Sequence, residues 1–147
     1  MTLTSSAADL HFIPEVLFGR GVLERVGAAA RGYGRRALLV TDRGMRSTGI
    51  VDQVVGLLAT AGVDALIFDG VRPNPTIDNV EAGLAAGAGA EIGVLVSVGG
   101  GSAHDCAKTI ALVAANGGEV REFEGLDRSP IPGMHGRFTF VQMLDDL

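Results

Sequence analysis

Hydrophobic positions along the chain alternate between two rhythms. Ala37-Leu38-Leu39-Val40 is a short buried apolar run, Ala65 to Phe68 is strand-like, and Ile92 to Val98, apolar or small and rich in β-branched residues, has the pattern of a strand buried on both faces of a parallel sheet. Between them the spacing lengthens to three and four. Val22, Leu23, Val26 and Ala29 or Ala30 predict a short helix over 22–30, closed by Gly32 and Gly34. Val51, Val54, Val55, Leu58 and Ala59 predict a helix over 50–61, stopped by Gly62. Thr76 is placed to cap a helix from Ile77 to about Gly87. Cys106, Ala107, Ile110, Ala111 and Ala114 form the stripe of a further helix that ends before Asn116-Gly117-Gly118. Strand-to-helix units in tandem imply an α/β fold: a parallel sheet with helices on both faces and right-handed crossovers. Phe12 to Phe18, interrupted by Pro14, reads as a peripheral or edge strand. Phe138-Thr139-Phe140-Val141 reads either as a strand covering the sheet or as part of a loosely ordered terminus.

Ligands collect at the carboxyl ends of the strands in such a sheet. Thr41 to Gly44, Asp69 to Pro75 and Gly99 to Ser102 are the loops in that position. The last carries Gly99-Gly100-Gly101 between a strand and a helix start, where free backbone N–H groups and the positive end of the helix dipole favour a phosphate. No Gly-Lys-Ser/Thr follows, so it is not a P-loop, and His104 stands where a dinucleotide fingerprint has its third glycine. The plain alternative is a tight turn that lets helix and strand pack. Ser102 and Asp105 have capping-box spacing, so either can serve the helix rather than a ligand. Lys108 lies one turn from Asp105, either as its solvated ion-pair partner or reaching towards ribose or phosphate oxygens. Asp42, just past a buried strand, can accept both hydroxyls of an adenosine ribose, which favours NAD over NADP, or can cap the next segment. Asn74, fixed between Pro73 and Pro75, offers an amide that donates and accepts, or forms an Asx turn.

Composition narrows the classes of function. The 147 residues, 47% hydrophobic and 20% charged, can bury one core. Twenty-two glycines and no tryptophan fit loops that approach a ligand closely. A net charge of −5 argues against nucleic acid or a membrane surface as the main partner, so a phosphate site must create its own positive field. Met1 to Leu10 lack a basic, apolar leader, and no run approaches the ~20 residues of a membrane span, which leads to the expectation of a soluble cytoplasmic protein. The single cysteine, Cys106, excludes an internal disulfide and sits on a core stripe. His11, His104 and His135 are far apart and suggest no metal site, and no spacing supports a catalytic Ser/His/Asp or Cys/His arrangement.

With these residues in view, the chain resembles the amino-terminal domain of the iron-containing (group III) alcohol dehydrogenases, the group with the lactaldehyde, propanediol and methanol dehydrogenases. Gly99-Gly100-Gly101-Ser102-Ala103-His104-Asp105-Cys106-Ala107-Lys108 looks like the family's GGGSxxDxxK box. Val40-Thr41-Asp42, Pro73-Asn74-Pro75-Thr76 and Asn116-Gly117-Gly118 leading to Phe123-Glu124-Gly125 support it. The box by itself also resembles glycerol dehydrogenases and dehydroquinate synthases.

The resemblance implies a Rossmann-like NAD-binding domain over 1–129. Gly99, Gly100, Gly101 and Ser102 would hold the pyrophosphate, Asp42 the adenosine ribose, and Asn74, Asp105 and Lys108 would lie near the nicotinamide end. It also implies oxidation of a small primary alcohol to an aldehyde. In the family, iron (or zinc) is held by Asp and His residues of a following all-helical domain, which is expected to be missing here. After Ser129 the family's Pro-containing strand and Thr-rich loop are replaced by Pro130-Ile131-Pro132-Gly133-Met134-His135-Gly136-Arg137, and 130–147 is expected to be a divergent tail. The expectation is therefore a truncated relative, inactive alone, with no catalytic residue of its own. The other readings are a non-catalytic module that binds a nucleotide or forms a homodimer through its exposed sheet edge, and a relative of the dehydroquinate synthases or glycerol dehydrogenases.

Overall fold

A computed structural model describes Leu17, residues 19–123 and the backbone of residues 138–142. A 3-10 turn at Val22–Arg25 runs into α1 (Val26–Arg31). There follow β1 (Arg36–Val40), α2 (Arg43–Ser47), α3 (Ile50–Thr60), β2 (Asp64–Phe68), α4 (Ile77–Gly87), β3 (Val94–Gly99) and α5 (Gly101–Asn116). A second 3-10 turn spans Val120–Phe123, and β4 is Phe138–Gln142. The strands form one parallel sheet in the order β2-β1-β3-β4, with Leu38 aligned between Leu66 and Leu95.

The two-residue repeat of the strands divides the core in two. Ala37 and Leu39 of β1 and Val94, Val96 and Val98 of β3 face one side, where Val26 and Ala30 of α1 and Val51, Val54 and Leu58 of α3 cover them. Leu38, Val40 and Leu95 face the other side, against Val80 of α4 and Cys106, Ala107, Ile110 and Ala111 of α5. Every residue of β3 is buried, the polar Ser97 among them. Cys106 is 1% exposed and belongs to this second core.

The chain leaves β1 towards β2, then crosses back past β1 to reach β3. Between β1 and β3 the connections depart in opposite directions, which opens a crevice outside the carboxyl ends of these two strands.

Local chemistry moved some boundaries from those that periodicity predicts. The loop expected at Thr41 to Gly44 becomes α2, because the Asp42 side chain accepts a hydrogen bond from Met45 N and starts a helical turn. The helix expected after the glycines begins at Gly101, inside them, with Gly100 as its cap. Ser102 and Asp105 therefore lie within the helix, and the capping box is not formed. Thr76 does cap α4 by position, but through its carbonyl, which accepts from Asn79 N and Val80 N, with no side-chain bond. Residues 138–142, expected either in a strand or in a loose terminus, pair with β3. The peripheral strand expected over 12–18 lies, but for Leu17, outside the described residues.

Helices α1 and α3 cross in close contact at Gly27. A methyl group at that position would lie 2.5 Å from the Leu57 carbonyl oxygen and 2.9 Å from Ala61 Cβ. Neither neighbour can yield without moving a helix, so Gly27→Ala is expected to destabilise the fold by about 1–3 kcal/mol. A lower urea midpoint at unchanged m value would report it.

Candidate functional site

The crevice is a cleft of about 600 Å³, within the roughly 300–1,000 Å³ usual for small-molecule sites. All three loops expected at the strand ends contribute: Asp42, Arg43 and Gly44 from one, Asp69 to Pro73 from another, and Gly100 to Ala103 from the third.

The floor comes from the turn between β3 and α5. Gly99 has a φ of 143°, a conformation open to glycine, and a methyl group on it would lie 3.1 Å from Ala103 Cβ. Only the cap residue Gly100 then separates strand from helix. The first amide to donate within α5 is that of His104, to Gly100 O. The N–H groups of Gly100, Gly101, Ser102 and Ala103 are thus the amino-terminal donors that a helix cannot satisfy itself, and these are the residues that line the cleft. Together with the positive end of the dipole they make this edge of the cleft favourable to an anion in a chain of net charge −5.

Asp42 stands at the end of β1, half-buried. Its Oδ1 accepts from Met45 N at 2.9 Å, so capping is one of its roles. Its Oδ2 is turned towards the glycine turn, 3.5 Å from where a methyl on Gly99 would lie. Thr41, fully buried, donates its Oγ1 hydrogen to Val98 O at 2.7 Å and locks the end of β1 to the end of β3.

Behind the floor, Ser97 Oγ and His104 Nδ1 are 2.6 Å apart and buried. Burial is the main cause that lowers the His104 pKa; the nearby Lys108 charge adds to it, against opposing effects of Asp105 and a backbone hydrogen bond at Gly99. A neutral imidazole therefore backs the turn near neutral pH. Burial pushes the Cys106 thiol up to about 11, so it stays protonated and packs as an apolar group.

Gly100, Gly101, Ser102 and Asp42 thus meet at one cleft, with Gly99 shaping its floor. Asn74, Asp105 and Lys108 do not line it. Asn74 is exposed in a left-handed conformation with φ 53°. Lys108 Nζ and Asp105 Oδ1 are 3.6 Å apart on the exposed side of α5, the solvated ion pair that their spacing allows. The sequence pattern did not single out Arg43, Asp69 or Arg72, which line the cleft, or the buried Asn79 beneath the loop. No apolar spacing marked Asn79, because the buried face it shares is completed by Gly83 rather than by large apolar side chains. Among the described residues, no group of three or more His, Cys, Asp or Glu side chains is placed to hold a metal ion, and no helix is long and apolar enough to cross a membrane.

Comparison with known proteins agrees with this geometry. A family model described as iron-containing alcohol dehydrogenase matches residues 14–138. Alcohol dehydrogenase 4 of Schizosaccharomyces pombe is 43% identical over 134 residues, 88% of this chain and 32% of that protein. The NAD-dependent methanol dehydrogenase of Bacillus methanolicus is 40% identical over 118 residues, 79% of this chain and 31% of that protein. The crystal structure of a 1,3-propanediol oxidoreductase superposes with a TM-score of 0.79 at 38% identity, over 84% of this chain and 32% of the other. The chain spans about a third of the length of these relatives.

Protonation of His104 should weaken the fold. Its folded pKa lies below the ordinary 6.5, so its contribution is complete above about pH 6.5 and is lost as pH falls towards the depressed folded value. Thermal melts between pH 8 and 5 should show a larger fall in Tm for the wild type than for His104→Gln; parallel curves would refute the assignment.

Proposed function

Because the chain belongs to the iron-containing alcohol dehydrogenase family, we propose that it supplies the dinucleotide-binding part of an NAD-linked alcohol dehydrogenase, acting on a primary alcohol and its aldehyde. The observation that carries this reading is the cleft at the ends of β1 and β3, with the free amides of Gly100 to Ala103 beside a half-buried carboxylate. The methanol dehydrogenase among the relatives is NAD-dependent by name.

The residues present fit a dinucleotide. The amides of Gly100, Gly101, Ser102 and Ala103 would receive the pyrophosphate, where the dipole offsets its charge without a lysine. The Asp42 carboxylate, oriented by Met45 N, keeps Oδ2 as an acceptor for ribose hydroxyls and repels a 2′-phosphate. The neutral Ser97–His104 pair joins β3 to α5, and the Thr41–Val98 bond ties the ends of β1 and β3 beneath the turn that would receive the cofactor. When bound, NAD is the acceptor for the hydride that leaves the alcohol carbon. Roles for Asn74, Asp105 and Lys108 towards the nicotinamide end rest on the family's motif alone. The described residues do not fit a resident iron, and no step of the reaction is assigned to a metal on them.

Gly101 gives a test in which stability and binding diverge. It lines the cleft, and a Cβ added there meets nothing within 4 Å. An acidic side chain in the first turn of a helix is stabilising by about 0.3–1 kcal/mol. Gly101→Asp is therefore expected to keep or raise Tm while weakening NAD at least about tenfold, because the added carboxylate meets the pyrophosphate. Calorimetric titration with NAD reads the second effect, and wild-type affinity in the variant would defeat the phosphate-site reading.

Asp42→Asn isolates the carboxylate's charge, since asparagine caps helices about as well as aspartate. Tm should hold, and the ratio of NADP to NAD affinity should rise about tenfold as the repulsion of a 2′-phosphate disappears. An unchanged ratio would remove Asp42 from cofactor selection.

A further inference from the structure

The loop after β2 is fixed by a side chain that has no part in the roles above. Asn79, in the first turn of α4, is only 6% exposed. Its Nδ2 donates to Gly70 O at 2.7 Å, and its Oδ1 accepts from Arg72 N at 2.9 Å. The two partners fix the amide's orientation, because the carbonyl of Gly70 needs a donor and the N–H of Arg72 an acceptor. Between them, Val71 N donates to Thr41 O at 3.2 Å. Three consecutive residues that line the cleft thus have a backbone polar group tied down, two to α4 and one to the end of β1. Asparagine is a poor helix former, and burying its amide is costly unless both ends are matched. Both ends are matched, and both matches fall on the cleft.

We propose that Asn79 is a positioning residue for the cofactor, clamping Gly70 to Arg72 so that this wall of the cleft is preformed before NAD arrives. The proposal rests on the reading of the cleft as an NAD site. A preformed wall spares the complex the cost of ordering the loop, so the clamp acts on affinity. Aspartate at this position would keep the acceptor for Arg72 N but present a second acceptor to Gly70 O. Protonation of that carboxyl would restore the missing donor. Leucine has similar size and neither group.

The experiment compares wild type, Asn79→Asp and Asn79→Leu in the whole chain. NAD affinity is measured by calorimetry from pH 8 to 5 below each protein's Tm, and amide hydrogen exchange is measured in parallel. The expected result is a loss of about tenfold or more in NAD affinity for both variants at pH 8. For Asn79→Asp, the deficit relative to wild type at the same pH shrinks as the carboxyl protonates. For Asn79→Leu it persists at every pH, and the Arg72 amide exchanges faster while β3 amides keep their protection. A side chain that serves only the fold would lower Tm without this pH-dependent recovery of affinity. Wild-type affinity in both folded variants at pH 8 overturns the clamp. If the wild-type chain itself binds no NAD at millimolar concentration, the cofactor reading of the cleft fails, and with it a positioning role towards NAD.

Discussion

The turn at Gly99-Gly100 is the constraint on which the rest depends. β3 is buried along its whole length and has to become the first turn of α5 with a single cap residue between. The chain manages this because Gly99 takes a φ of 143°, where a side chain would be strained and would press on Ala103. The abrupt turn leaves the amino end of a sixteen-residue helix aimed past the strand ends, with four N–H groups that no carbonyl of the helix can reach. This geometry favours an anion there without any basic side chain in the loop.

The surroundings keep that turn in place. Ser97 is a polar residue within an otherwise apolar strand, and its partner His104 lies on the first turns of the helix that follows, so strand and helix are joined beneath the turn. Thr41 does the same between β1 and β3. The second wall is built differently, from a proline-restricted loop tied to Asn79 and to the carbonyl of Thr41. Arg46 and Asp69, 3.7 Å apart with side chains about 40% exposed, add an outer link that solvent weakens. Buried hydrogen bonds therefore do more to fix the cleft than exposed charges.

The strands and longer helices were readable because burial leaves a periodic trace. Residues 37–40 and 94–98 are buried along their length, whereas β2 at the sheet edge keeps an apolar run although Leu66 is 40% exposed, and α3, α4 and α5 bury one stripe each. The site was readable in part. Gly99 to Ser102 and Asp42 stood out because glycine runs and acids at strand ends are unneeded for packing. The helix start inside the glycines and the formation of α2 were not readable, since each depends on which of several nearby donors a backbone group or carboxylate meets. Asn79 escaped notice because its partners are seven and nine residues away along the chain, outside any local motif.

The sequence by itself determined the alternation of strand and helix, the division of the core between two faces, the family and the position of the glycine turn. These follow from local periodicity and from glycine's conformational range, which act over a few residues. The tertiary structure alone decided which of the polar residues share a cleft. It placed Asp42, Arg72 and the amides of Gly100 to Ala103 around one space, and left Asn74 and the Asp105–Lys108 pair off its lining. The physical reason is that the parallel order β2-β1-β3 brings distant loops to one edge of the sheet, while the turn of a helix separates residues only a few positions apart.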